Sequence, residues 1–68
     1  MTTSERLRDW RKRQALSQQE AAGRAGVTQA VWSKLEAGKY ARISAQTAER
    51  IERATGGEIR IADWLTAA

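Results

Sequence analysis

Across 68 residues the chain carries twelve Lys and Arg against eight Asp and Glu, a formal net charge of +4, and it has neither Cys nor His. That length is one domain, which buries only about 60% of the surface its unfolded form exposes, so the core is thin and dimerisation is a common remedy. The missing Cys excludes disulfides and thiol chemistry; the missing His removes the commonest general base, metal ligand and pH switch together. A basic domain is drawn to polyanions, nucleic acid first, although a charge excess for solubility alone has the same signature. No apolar run is long enough for a membrane span or a signal-peptide core, so the chain is expected to stay in the cytoplasm, with no membrane partner.

No Pro occurs, and Gly26, Gly38 and Gly56-Gly57 each follow a helix-like stretch, as helix-ending glycines do. The first helix is predicted from about Ser4 to Gln14, with Ser4 as its cap and Glu5 suiting its positive N-terminal dipole. Leu7, Trp10, Arg11 and Gln14 share one of its faces. Ser17-Gln18-Gln19-Glu20 is a capping box, in which the Ser17 hydroxyl meets the Glu20 amide and the Glu20 side chain reaches back. It opens a second helix whose Ala21, Ala22 and Ala25 present a small apolar face up to Gly26.

Thr28 caps a third helix that reaches Ala37, with Trp32 and Leu35 as its buried stripe. Lys39 to Ile43 form a short basic loop, after which Ser44 caps a fourth helix to about Thr55 with Ala48, Ile51 and Ala54 facing inward. Beyond the glycine pair, Glu58 to Ile61 alternates polar and apolar, and Ala62 to Thr66 has room for one last helical turn. The expected fold is all-α: four to five short helices in a single domain over residues 1–68, ending in a short tail over residues 56–68.

Residues 17–38 carry the most information. A short capped helix ends at Gly26 and the next begins almost at once, so the two must cross steeply and need a small residue where they touch. Ala22 supplies it, Gly26 supplies the turn, and Val27, Trp32 and Leu35 anchor the second helix from beneath. The segment from Gln18-Gln19-Glu20-Ala21-Ala22 through Gly26-Val27-Thr28-Gln29 to Leu35-Glu36-Ala37-Gly38 resembles the helix-turn-helix of the lambda-repressor/Cro (XRE-like) family. The resemblance covers about residues 4 to 55 and implies a lambda-repressor-like DNA-binding domain. Two features depart from the family pattern. Trp32 stands where a smaller Val or Ile is usual, needing room from partners such as Ala21, Ala22 or Ala48, and no Pro follows Gly38.

An isolated helix fits the major groove, where each base pair shows a distinct pattern of donors, acceptors and methyl groups. The resemblance implies Gln29, Ala30, Ser33 and Lys34 as base readers, Gln29 suiting adenine and Lys34 either guanine or a phosphate. A solvated helix face is the alternative for the polar ones. Val31 suits the groove and the core equally. Thr28 is expected as a cap or phosphate contact, and Gln18, Lys39, Tyr40 and Arg42 as backbone contacts, though Lys39 to Arg42 also read as an ordinary basic loop. The resemblance further implies an Arg11–Glu36 ion pair tying the first helix to the third, which leaves Lys12 and Arg13 solvated.

Helix-turn-helix proteins usually dimerise to place two reading helices about 34 Å apart on a palindromic site. Ile59, Ile61, Trp64 and Leu65 are the expected interface, with folding back onto the monomer's own core as the alternative. The expected function is a sequence-specific, double-stranded-DNA-binding repressor, Cro-like, acting by promoter occupancy at the nucleoid, with no inducer pocket or sensor domain expected. An antitoxin that autoregulates its operon is the runner-up, and a protein-interaction module on the same fold the reading from another class. No enzyme, cofactor or metal site is indicated: Glu49 and Glu52 lie among arginines on one helix and read as a salt-bridged face.

Overall fold

Four helix starts are marked by a hydroxyl that accepts a backbone N–H, and these caps set the element boundaries. In the computed structural model, which describes residues 1–40 and 43–65, the elements are α1 (Thr3–Arg13), α2 (Gln18–Ala25), α3 (Gln29–Glu36), α4 (Ala45–Ala54) and α5 (Ile61–Leu65). Arg42, and with it one expected backbone contact, lies outside the described residues, as does the side chain of Leu65. The Ser17 capping box closes α2: Glu20 N donates to Ser17 Oγ at 3.0 Å and Ser17 N to Glu20 Oε1 at 2.9 Å. Thr28 and Ser44 cap α3 and α4, each accepting from the amide three residues on.

The first cap corrects the sequence expectation. Thr2, not Ser4, caps α1, with Glu5 completing the box from the third helical position. The physical reason is reciprocity: of the neighbouring hydroxyls, only Thr2 stands three residues before a glutamate.

Helix α2 ends in a left-handed residue, Gly26 at φ 70° and ψ 30°. Gly26 N donates to Gly23 O at 3.3 Å and Val27 N to Ala22 O at 3.0 Å, the paired bonds of a Schellman turn. An L side chain at that φ is strained, so glycine permits the abrupt change of direction into α3. The turn is fastened from outside by Arg50 of α4, which donates to Gly26 O at 3.0 Å.

The core lies where α1, α2, α3 and α4 converge: Leu7, Trp10, Ala21, Ala22, Ala25, Trp32, Leu35 and Ile51 are all buried in one cluster. Trp32, the bulky departure in α3, has no exposed surface. Its ring lies 6.3 Å from that of Trp10 at a tilt of 47°, within the favourable range for aromatic pairs. The alanines of α2 in the same cluster supply the room it needs.

The tail is part of the monomer. Ile59, expected at a dimer interface, is completely buried in the monomer core, so that expectation is corrected. The chain folds back because the buried Thr55 hydroxyl donates to Ile51 O at 2.9 Å and accepts from Ile59 N at 3.1 Å. Several further contacts dock the tail: Thr3 Oγ1 donates to Asp63 O at 2.9 Å, Arg6 donates to Glu58 O at 2.9 Å, and Glu52 Oε1 accepts from Ile61 N at 3.0 Å. Arg13, expected to be solvated, is half exposed and also bonds Glu58 and Asp9. Ile61 and Trp64 are half-buried, with Trp64 packed against the core. Among the described residues no helix is long and apolar enough to cross a membrane.

Candidate nucleic-acid interface

The surface of α3 is divided by its own periodicity. Trp32 and Leu35 fill the core, whereas Gln29, Ala30, Ser33 and Lys34 are all exposed. Val31 is half-buried and packs against the core. The acid of this helix, Glu36, is also buried, so the exposed face carries a lysine, two polar groups and a methyl, and no negative charge. Such a face offers hydrogen-bond donors and acceptors to base edges without repelling phosphates.

Thr28, expected as cap or phosphate contact, is the N-cap: its Oγ1 accepts from Val31 N at 3.2 Å. Lys39 and Tyr40 follow α3 and are exposed, Tyr40 by 40%. Among the described residues neither Lys34 nor Lys39 has an ion-pair partner. All eight acids, by contrast, are engaged inside the chain, in caps, in ion pairs or on backbone amides. Lys34 and Lys39 therefore carry part of the positive surplus with no internal acid drawn to them among the described residues.

Behind α3 lies the element that fixes its position. Glu36, its side chain 1% exposed, accepts a forked pair from Arg11, Nε to Oε2 at 2.6 Å and a terminal guanidinium nitrogen to Oε1 at 3.0 Å. Trp32 Nε1 donates to the same carboxylate, and Gln18 Nε2 donates to Oε1 at 3.2 Å. Arg11 in turn donates to Leu16 O at 3.0 Å, so one arginine joins α1, the α1–α2 turn and α3. Gln18, expected on a DNA phosphate, also gives one amide N–H to Glu36, a role that sequence reasoning missed because the partner lies one helix away. Arg8, with Nε 3.7 Å from Glu36 Oε1, is a second neighbour that the sequence did not single out.

Burial by itself raises the pKa of Glu36, but the bonds from Arg11, Trp32 and Gln18 outweigh it and hold the carboxyl below the ordinary glutamate value. The backbone N–H groups of Thr2, Ser17 and Arg60 lower Glu5, Glu20 and Asp63 in the same direction. A carboxyl with a depressed folded pKa contributes its full stabilisation above its unfolded value, about 4.3 for Glu, and loses it as pH falls through the folded value. With no His to titrate near neutrality, the melting temperature should be flat between about pH 5 and 8 and fall steeply below about pH 4.3. Circular-dichroism melts across this range test the expectation; equal melting temperatures at pH 3 and pH 7 would rule it out.

A family model described as a helix-turn-helix domain matches residues 4–63, which takes in every described helix but the ends of the first and the last. No curated protein and no solved structure gives a significant match.

Proposed function

The chain belongs to the helix-turn-helix domain family, and from that premise we propose that it is a sequence-specific regulator of transcription that binds double-stranded DNA. The observation that carries this reading is the exposed face of α3, on which Gln29, Ala30, Ser33 and Lys34 stand together with no acid among them. Gln29 reads adenine through a paired hydrogen bond, Ala30 meets a thymine methyl, and Lys34 takes guanine or a phosphate. Lys39 and Tyr40, with the amides at the start of α2, hold the DNA backbone on either side. The regulator acts as a Cro-like repressor at the nucleoid, by occupying a promoter. A homodimer on a palindromic operator supplies the affinity that one short helix lacks. With Ile59 committed to the monomer, that dimer relies on other surface, the half-buried Ile61 and Trp64 included.

Selection from a pool of random duplex DNA, followed by sequencing, tests the reading. The expected result is enrichment of one short site repeated with two-fold symmetry, its half-sites about one helical turn apart. Retention of DNA without any enriched sequence would reduce the protein to a basic scaffold.

A further inference from the structure

The four arginines of α1 are not equivalent. Arg6, Arg11 and Arg13 each donate hydrogen bonds within the chain, whereas Arg8 donates none among the described residues. Its Nε rests 3.7 Å from Glu36 Oε1, with the side chain half exposed. The geometry of the carboxylate explains the loose hold: Oε1 already accepts from Arg11 and from Gln18 Nε2. Glu5, one turn earlier on α1, also attracts Arg8, but its Oε1 is occupied by the backbone N–H of Thr2.

Two groups from different helices thus converge on one oxygen. A carboxylate only accepts, so the Gln18 amide must turn its nitrogen toward Glu36, which leaves its second N–H for another acceptor. The guanidinium of Arg8 stands at the same oxygen with its fork unspent, and a guanidinium fork matches the oxygens of a phosphate. We infer that Arg8 joins Gln18, the expected backbone contact, on one phosphate of the DNA, both positioned by the buried carboxylate of Glu36. This rests on the DNA-binding reading above, and it adds Arg8, on a helix outside the helix-turn-helix pair, to the contact surface.

Binding of the full chain to a fluorescein-labelled duplex of random sequence, titrated over about 50 to 200 mM salt, tests the inference. Arg8→Ala should flatten the plot of log affinity against log salt by about 0.9 per bound protomer, with the melting temperature unchanged. Gln18→Ala, which removes no charge, should weaken binding at an unaltered slope. Since both side chains hold one phosphate, the double substitution should lose less than the product of the two single losses. Arg8→Lys, which keeps the charge without the fork, should retain the slope and lose part of the affinity. Wild-type slope and affinity in Arg8→Ala would overturn the shared phosphate while leaving the DNA-binding reading intact. A wild-type chain that does not bind duplex DNA at all would overturn that reading, and this inference with it.

Discussion

Arg11→Met is expected to destabilise the domain by about 3–5 kcal/mol, because it strips the paired charge from a carboxylate that is almost wholly buried. Glu36 retains the uncharged Trp32 and Gln18 donors, and the only cation left beside it among the described residues is Arg8, half exposed and 3.7 Å from Oε1 without a hydrogen bond. For a chain of this length the total stability is on the order of 3–10 kcal/mol, so the loss would leave a substantial unfolded population at room temperature. Urea titration followed by the fluorescence of the three tryptophans gives the difference directly. Arg11→Met combined with Glu36→Gln should recover part of the loss, since the buried charge is then gone while an amide can still bond Trp32. A single Arg11→Met variant within about 1 kcal/mol of wild type would mean that the carboxylate is solvated or neutral, or that Arg8 replaces Arg11 as its partner, and that the Arg11 pair does not hold α1 to α3.

The second large effect is on recognition and leaves stability alone. Gln29→Ala and Lys34→Ala are each expected to cost about 1–3 kcal/mol on the selected site, roughly 5- to 150-fold in affinity, and to relax the preference at the base each one reads. Both side chains are exposed, so stability should stay within about 0.5 kcal/mol of wild type. The two separate on random duplex. Gln29→Ala should bind it as wild type does, whereas Lys34→Ala, if its lysine lies on a phosphate, flattens the salt dependence. An unchanged sequence preference in both variants would identify Gln29 and Lys34 as a merely solvated face.

What was legible in the sequence was what is encoded locally. Ser17-Gln18-Gln19-Glu20, Thr28 and Ser44 mark helix starts because a cap needs partners only three residues away. Gly26 marks the turn because its backbone conformation excludes most side chains. The division of α3 into a buried stripe of Trp32 and Leu35 and an exposed face follows from helical periodicity in the same way. Thr2 was readable too, since it is the hydroxyl with a glutamate three positions on, yet the neighbouring Ser4 drew the assignment.

Apart from the first cap and Ile59, the errors lie where a residue's partner is far along the chain. Arg13 meets Glu58 across 45 positions, and Thr3 meets Asp63 across 60, and no local pattern announces either. Ile59 looked like a free apolar residue near the end of the chain. Its burial depends on the Thr55 hydroxyl catching its amide just past the end of α4, and that bond turns the chain back toward the core. Gln18 and Arg8 acquire their roles from the Glu36 carboxylate that they share, which exists only once α1, α2 and α3 are packed together.

The most direct test of the exposed face of α3 as the DNA-reading surface is an NMR titration of the isotope-labelled chain with the selected duplex. DNA recognition by α3 predicts the largest amide shift changes at Gln29, Ala30, Ser33 and Lys34, with smaller ones at the start of α2 and at Lys39 and Tyr40. Changes concentrated on α4 and α5, with the α3 face unmoved, would contradict it.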